Sequence, residues 1–348
     1  MIKISKGNII EAEAEALVNT VNCVGFMGKG IALQFKKAFP ENFESYARAC
    51  RAQEVKPGKM LVYETGNMLN PRYIINFPTK RHWQASSRLE DIESGLKSLV
   101  DEIRQRGIKS VAVPPLGCGL GGLDWRIVRP MIEKAFAQMP EVEVKLFEPV
   151  GTPEAKEMPV HTKHPRMTIA RALFIKLMRQ YSELDYRLTL LEIQKLAYFL
   201  QEAGEPLRLN YEAGLYGPYA HNLNKVLETL EGHFIRGYGD TQKPDVEIEL
   251  LPGAVQEAEA FLEDHEDTKR RLERVGNLIE GFETPYGMEL LSSVHWVAHA
   301  DKPAMNADES IYMIHHWSER KRNLFKPDHI RIAWERLKKQ GWLSVEGN

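Results

Sequence analysis

The sequence predicts an α/β three-layer sandwich followed by a mostly α-helical domain. Residues 1–150 alternate short β patterns with helical ones, and residues 166–348 repeat apolar side chains at helical spacing. Between them, the proline-rich and charged stretch of residues 151–165, GTPEAKEMPVHTKHP, has the composition of a linker. A chain of 348 residues is also long enough for two domains that each bury a core.

The elements of the first domain are predicted from apolar residues that recur with the period of a strand or of a helix. Strands are predicted at residues 2–5, 16–21, 60–65, 73–77, 110–115 and 142–147. Helices are predicted at residues 29–39, 89–105 and 125–138. In the second domain, helices are predicted at residues 168–181, 189–203, 218–231, 254–280, 286–299, 307–316 and 327–340. The alternation in the first half and the run of helices in the second indicate two different architectures.

The two halves differ in charge. Residues 1–150 contain 21 lysines and arginines against 17 acids, a net charge of +4, which leaves 25 against 31, or −6, for the remainder. A basic first half favours a nucleic-acid substrate, and an acidic second half favours a basic protein surface. Ordinary surface variation explains the same split, so both interpretations stay open.

Composition favours a cytoplasmic protein without membrane partners. The chain contains no run of about 18 apolar residues and no signal peptide at its start. Cys23, Cys50 and Cys118 include no CxxC pair, which argues against disulfides and against a zinc site, so neither a metal nor a cofactor is expected. We interpret Cys23 and Cys118 as small packing residues, because nothing near them in the sequence would generate a thiolate.

Two glycine-rich loops are the strongest functional signal. The stretch from Leu17 to Phe35 runs from an apolar strand through Gly25, Gly28 and Gly30 into a helix, and PPLGCGLGGLDW at residues 114–125 follows a second strand. Glycine permits positive φ and close approach to a ligand, and the free amides at a helix start bind anions. Together the loops predict a diphosphate that is held from both sides.

Other glycine-loop sites fit less well. A P-loop needs four residues between its first glycine and Gly-Lys-Ser/Thr, whereas only Phe26 and Met27 separate Gly25 from Gly28. The Rossmann fingerprint needs a different glycine spacing and a later acidic residue. Tight turns without a ligand remain the structural alternative for either loop taken alone.

Five segments carry a resemblance that covers the first domain. They are KGNII at residues 6–10, VNTVNCVGFMGKGIALQFKKAFP at 18–40, INFPTKRHW at 75–83, PPLGCGLGGLDW at 114–125 and VKLFEP at 144–149. The domain resembles the macrodomains, a three-layer α/β/α fold with a mixed central sheet that binds ADP-ribose. Within them it resembles the DarG family of DNA ADP-ribosyl glycohydrolases, antitoxins to the DNA-modifying toxin DarT.

The resemblance implies a set of residues that contact ADP-ribose. These are Asn8, Ile9, Gly28, Lys29, Gly30, Ile31, Ala32, Gly117, Cys118, Gly119, Leu120, Gly121 and Phe147. Asn8 replaces the aspartate usual in macrodomains, although an amide oxygen can still accept a hydrogen bond from the adenine amino group. Phe147 is equally suited to stack on adenine or to pack in the core.

Lys80 is the candidate catalytic residue. It follows the apolar strand YIINF and a Pro78-Thr79 turn, so we expect it at the carboxyl end of a strand, where ligands bind in α/β sheets. The resemblance implies that it approaches the distal ribose. There a neutral amine would attack the ribose carbon, or an ammonium would stabilise charge and donate a proton. A lysine that only binds phosphate at the surface is the alternative.

The sequence departs from the related animal macrodomains that remove ADP-ribose from acyl groups. Those enzymes pair the catalytic lysine with an aspartate after GCGL, where this chain has Gly121. The nearest acid, Asp124, precedes a predicted helix and suits an N-cap. Direct transfer to water, assisted by Lys80 and positioned by Asn22, is therefore as consistent with the residues as a covalent intermediate. Asn22 also suits a turn.

Arg81, His82 and Trp83 follow Lys80 and combine a cation with planar rings, which predicts contacts to an unpaired base and its phosphates. Packing of His82 and Trp83 within their own loop is the simpler alternative.

In the second domain, residues 191–223 resemble the Panacea-type antitoxin domains through a helix with a Lys-Leu pair and a later Tyr-Gly-Pro turn. That resemblance implies a domain that binds and neutralises its toxin.

The resulting expectation is an antitoxin with two functions. The first domain would hydrolyse the N-glycosidic bond between ADP-ribose and a thymine base of single-stranded DNA. The second would bind the cognate DarT-like DNA ADP-ribosyltransferase. Two alternatives stay open: a reader that binds ADP-ribose without turnover, and a hydrolase of ADP-ribose linked to protein carboxylates.

Overall fold

The computed structural model describes residues 1–149, 158–182, 188–239 and 247–343. The chain divides into two compact units between His164 and Pro165, and Gly239 belongs with the first unit. Of the predicted linker, residues 151–157 lie outside the described residues. Its later part packs on the first unit, because the amide of His161 donates to the carbonyl of Lys37 at 2.8 Å.

The first unit is built on a mixed sheet of six strands, as predicted. The strands are β1 (Ile2–Ser5), β2 (Ala16–Asn22), β3 (Leu61–Glu64), β4 (Tyr73–Lys80), β5 (Ser110–Val113) and β6 (Glu143–Phe147). Their order across the sheet is β1-β6-β5-β2-β4-β3. All neighbours run parallel except β3, which pairs with β4 in the antiparallel direction.

Helices cover both faces of this sheet, which confirms the three-layer sandwich. They are α1 (Gly30–Ala38), α2 (Pro40–Arg51), α3 (Leu89–Arg106) and α4 (Trp125–Phe136). On one face, α3 and α4 contribute Leu99 and Ile132 to the larger core, while on the other α1 contributes Phe35 to a second core. Helix α2 was not predicted, although its buried residues Asn42, Tyr46, Ala49 and Cys50 recur at helical spacing.

A buried cluster of three asparagines fixes the central strands. Asn19 of β2 donates to Asn76 of β4 at 3.0 Å, and Asn76 donates to Asn42 of α2 at 2.7 Å. All three side chains are fully buried. Because an unpaired buried amide is costly, this cluster disfavours any other register of β2 on β4.

The second unit is mostly helical, as predicted, with two short strand pairs. Its described helices are α5 (Ile169–Ser182), α6 (Leu190–Glu202), α7 (Leu223–Leu230), α8 (Ala254–Leu262), α9 (Glu266–Ile279), α10 (Pro285–Ala298), α11 (Ala307–Trp317), α12 (Glu319–Leu324) and α13 (Pro327–Lys339). Strands β7 (Tyr211–Gly214) and β8 (Gly217–Ala220) form a hairpin, and β9 (Ile235–Arg236) pairs with β10 (Glu249–Leu250).

Two predictions for this unit were wrong. The helix predicted at residues 218–231 begins only at Leu223, because residues 217–220 pair as a strand with β7. The helix predicted at residues 254–280 is two helices, since the polar stretch from Glu263 to His265 supplies no apolar residue to bury.

A buried polar cluster joins four elements of the second unit. Glu289 of α10 accepts hydrogen bonds from Arg320 at 2.6 and 3.0 Å and from Lys321 at 2.9 Å. Lys195 of α6 donates to the carbonyl of Pro218 in β8 at 2.7 Å. The Lys-Leu helix and the Tyr-Gly-Pro turn, which were singled out in the sequence, are therefore in direct contact. Burial, together with the nearby charge of Lys321, lowers the pKa of Lys195 to about 7, although the Glu289 carboxylate opposes the shift.

Among the described residues, no group of three histidine, cysteine or acidic side chains is arranged to hold a metal ion. A bilayer would require a longer apolar helix than any that the described chain provides.

Candidate functional site

The predicted site residues of the first unit lie at one edge of its sheet. The five parallel strands β1, β2, β4, β5 and β6 all end there. Asn8, Asn22, Lys80 and Gly117 come at or soon after the ends of β1, β2, β4 and β5, and Phe147 is the last residue of β6. Ligands of α/β sheets bind at this edge.

Asn22 and Lys80 are neighbours across two strands. The register of β2 on β4 changes after Val21, so that Val21 lies opposite Pro78 and Asn22 lies opposite Lys80. The turn predicted at Pro78-Thr79 is wrong, because β4 continues through both residues to Lys80. The shift in register brings the candidate catalytic lysine level with the asparagine of the first loop.

Lys80 is half-buried and held by the second glycine loop. Its ammonium donates to the carbonyl oxygen of Leu120. Burial lowers its pKa below the ordinary value of 10.5. None of the ion pairs found among the described residues includes it.

Asp124 caps α4 as predicted, accepting from the amide of Arg126 at 2.9 Å, and it also pairs with the Arg126 guanidinium.

The side chain of Asn22 organises the first loop. Its amide nitrogen donates to the carbonyl of Phe26 at 2.5 Å. Its oxygen accepts from the amides of Val24 at 3.0 Å and Phe26 at 3.3 Å, and from the Tyr46 hydroxyl at 3.1 Å. These contacts correspond to the turn-stabilising role, and they leave one N–H of the amide for a ligand.

The first glycine loop leads directly into α1, as predicted. Gly25 and Gly30 have φ of +82° and +58°, whereas Gly28 is not among the residues with positive φ, which corrects that prediction. Gly30, Ile31 and Ala32 form the first turn of α1, where amides have no partner within the helix. The Gly30 amide donates to the carbonyl of Gly239 at 2.6 Å. Lys29, at the N-cap, is half-buried, and burial lowers its pKa.

The second glycine loop is tightly packed on one side and open on the other. A Cβ on Gly121 would lie 2.3 Å from both the Gly117 carbonyl oxygen and the Ser87 hydroxyl, whereas one on Gly119 would meet nothing within 4 Å. Gly117 has a φ of +71°. The Ser87 amide also donates to the Gly121 carbonyl at 2.9 Å, so the segment after β4 supports this loop.

The cysteines of the two loops are protonated packing residues, as expected. Burial raises the pKa of Cys23 and of Cys118 to about 11 each. At neutral pH both are thiols rather than nucleophilic thiolates.

The residues predicted to contact adenine are one polar side chain, Asn8, and two apolar side chains that are buried in the core, Ile9 and Phe147. The Asn8 side chain accepts from the amide of Ile10 at 3.0 Å, and its amide nitrogen is buried without a hydrogen-bond partner among the described residues. Ile9 and Phe147 are buried in the core that includes Phe35. Phe147 therefore packs in the core, and the Asn8 amide offers a donor for a ligand.

Among the predicted DNA-binding residues, Arg81 has an environment that differs from that of His82 and Trp83. Arg81 forms a two-pronged ion pair with the buried Asp91, at 3.2 and 3.1 Å. His82 is exposed, and Trp83 stacks on Phe26 with ring centroids 5.7 Å apart. Sequence reasoning missed Phe26, although an aromatic residue between Gly25 and Met27 is an unusual choice for a turn.

Comparisons with known proteins match part or nearly all of this chain. The model of the Macro domain family matches residues 18–132. A DNA ADP-ribosyl glycohydrolase of Thermus aquaticus is 46% identical over 347 residues, which cover 99% of this chain and 95% of the relative. A protein of the same description from Mycobacterium tuberculosis is 42% identical over 356 residues, covering 97% of this chain and 99% of the relative.

A third relative joins two activities in one chain. It is a DNA ADP-ribosyl transferase-DNA ADP-ribosyl glycohydrolase fusion protein of Thermosipho africanus, 36% identical over 164 residues. The match covers 43% of this chain and 42% of the fusion protein.

Proposed function

This chain belongs to the family of DNA ADP-ribosyl glycohydrolases, and from that premise we propose that its first unit releases ADP-ribose from thymine bases of single-stranded DNA. The observation that carries the proposal is the pairing of Asn22 and Lys80 between two glycine-rich loops. Family membership supports the reaction class, and the paired residues support the position of the reacting carbon. The three cysteines, all free thiols, suit a cytoplasmic protein.

The ligand extends along the carboxyl edge of the sheet. Its adenine lies near Asn8, whose buried amide can donate to a ring nitrogen, and its diphosphate lies between the start of α1 and the second loop. The open side of Gly119 allows a phosphate to approach the backbone. The distal ribose then reaches Asn22 and Lys80.

The reaction is a hydrolysis at C1 of the distal ribose. The bond from this carbon to a thymine ring nitrogen breaks, water supplies the new oxygen, and the thymine nitrogen receives a proton. Lys80 donates a hydrogen bond to a carbonyl and has no carboxylate partner among the described residues. We assign it the ammonium role, which stabilises the departing base and supplies its proton. Attack on the carbon by the neutral amine is the competing mechanism.

Two substrates and one ligand separate this proposal from its alternatives. The full chain is incubated with a single-stranded oligonucleotide that carries ADP-ribose on thymine, with a peptide that carries it on a glutamate ester, and with free ADP-ribose in a calorimeter. Release from the oligonucleotide alone supports the proposal. Release from the peptide alone indicates a hydrolase of protein-linked ADP-ribose, and binding without release indicates a reader.

The second unit is proposed to bind the DNA ADP-ribosyltransferase toxin. The fusion relative, which joins a transferase and a glycohydrolase, supports a partnership between the two activities. The net charge of −6 over residues 151–348 suits the basic surface of a DNA-binding partner. A full-length Lys80→Ala variant tests this role, because toxin suppression at equimolar ratio without hydrolysis requires binding.

A further inference from the structure

Two aromatic rings form an exposed pair at the edge that carries the site. Phe26 comes from the first glycine loop and Trp83 from the segment after β4, and their planes are inclined by 26° with centroids 5.7 Å apart. Phe26 is 39% exposed, and Trp83 is partly exposed. The ring of His82 lies 5.5 Å from that of Trp83. The pair therefore presents ring surface to solvent.

Each ring of the pair is close in the chain to one of the two proposed reacting residues, Asn22 and Lys80. The carbonyl of Phe26 accepts the hydrogen bond from Asn22, and Trp83 follows Lys80 by three positions. Leu120, whose carbonyl holds Lys80, is itself 39% exposed. A base attached to the distal ribose at Lys80 would leave its neighbours in the strand close to these rings.

Packing within the loop does not account for the whole arrangement. The rings of Phe26 and Trp83 stack on each other, yet Phe26 stays 39% exposed. Apolar side chains grouped at the mouth of a polar site indicate a binding surface. Every nucleobase has a flat apolar face that aromatic side chains stack on without regard to sequence.

We propose that Phe26 and Trp83 form a stacking platform for the base next to the modified thymine. This inference rests on the proposed function, since it assumes a DNA substrate at the same site. Bases in a duplex are stacked on each other and cannot occupy the platform, so it selects single strands. It also distinguishes ADP-ribose on DNA from ADP-ribose on protein, which offers no base.

Arg81 supports the platform by charge rather than by a dedicated contact. Its guanidinium is held by Asp91 but remains 59% exposed. It can attract a neighbouring phosphate without leaving its ion pair.

The test combines protein variants with altered substrates. Initial rates are measured for the full-length wild type, Phe26→Ala, Trp83→Ala and the ring-retaining Trp83→Phe, with Val24→Ala as a control that trims an exposed apolar side chain from the same loop. The substrates are an oligonucleotide with ADP-ribose on thymine, the same strand with abasic sites on both sides of that thymine, and ADP-ribosyl-thymidine.

The platform predicts a loss that depends on neighbouring bases. Trp83→Ala and Phe26→Ala lower kcat/KM about tenfold on the intact strand, whereas Trp83→Phe and Val24→Ala stay near the wild-type value. On the abasic strand and on ADP-ribosyl-thymidine, wild type and alanine variants react at equal rates. Equal rates of the wild type and the alanine variants on the intact strand would overturn the platform. The same loss of rate in the alanine variants on every substrate would also overturn it. Failure of the wild type on every substrate would instead contradict the proposed function.

Discussion

Asn22 and Lys80 lie opposite each other at the ends of two parallel strands, yet their side chains hold different loops. Asn22 donates to the Phe26 carbonyl of the first loop, and Lys80 donates to the Leu120 carbonyl of the second. The two loops that are proposed to hold the diphosphate are thus fixed to adjacent strand ends. Each residue thus contacts a glycine loop and also lies at the proposed reacting position.

Replacement of Asn22 tests whether its side chain holds the first loop in the form that binds ADP-ribose. Asn22→Ala removes three hydrogen bonds within the first loop and one from Tyr46 of α2. Since each bond contributes about 1 kcal/mol, we expect ADP-ribose affinity to fall about tenfold or more. Tyr46→Phe removes only the hydroxyl of its partner on α2 and serves as the control. Calorimetry measures the ADP-ribose affinity of both variants. An unchanged affinity of Asn22→Ala would show that the loop does not depend on this side chain.

The pH dependence of the reaction tests the state of Lys80. Burial lowers the pKa of Lys80 below 10.5. An ammonium donor is active below that lowered pKa, so kcat should fall as the pH rises through it. Lys80→Arg, which keeps its charge, should lose this alkaline fall in whatever activity remains. A kcat that rises with pH, together with an enzyme-sugar adduct trapped by borohydride, would support attack by the neutral amine instead.

Alanine substitutions on the packed side and on the open side of the second loop should affect different properties. Gly121→Ala places a methyl group against the Gly117 carbonyl and Ser87, so it should lower the free energy of unfolding of the first unit by about 1–3 kcal/mol. Gly119→Ala meets nothing within 4 Å and should leave stability unchanged while weakening ADP-ribose binding. Thermal unfolding and calorimetry of both variants decide the matter. Full ADP-ribose affinity in Gly119→Ala would place the ligand elsewhere.

Lys195 predicts how the second unit responds to pH. Its pKa is about 7 in the folded unit and near 10.5 when unfolded. Between these values the unfolded chain binds the additional proton, so stability rises as the pH is raised. We expect the melting temperature of this unit to rise less between about pH 7 and about pH 9 in Lys195→Met than in the wild type. The exposed Lys225→Met is the control, and an unchanged pH slope in Lys195→Met would contradict the assignment.

Much of the sheet and its loops could be predicted from the sequence, because the signals are local. Short apolar runs marked all six strands of the first unit, and glycines marked both loops. Asp124 was recognisable as an N-cap from its place before a helix. These features depend on a few adjacent residues, which is the range that periodicity and capping patterns cover.

The contacts that shape the site depend on residues that are distant in the chain. Asn22 meets Lys80 only through a change of register, and Phe26 meets Trp83 only once β2 and β4 are paired. Arg81 was expected to contact DNA, but its partner Asp91 lies on α3 and could not be inferred from spacing. No local pattern specifies such pairs, since they are consequences of tertiary packing.

The central claim is that Lys80 catalyses release of ADP-ribose from DNA. The most direct measurement follows free ADP-ribose over time from a single-stranded oligonucleotide modified on thymine, with full-length wild type and Lys80→Ala, alongside calorimetric binding of ADP-ribose to both. We predict turnover by the wild type, loss of at least about a hundredfold in the variant, and retained binding. Equal turnover by both proteins would contradict the assignment of Lys80, and binding without turnover by the wild type would contradict the enzyme itself.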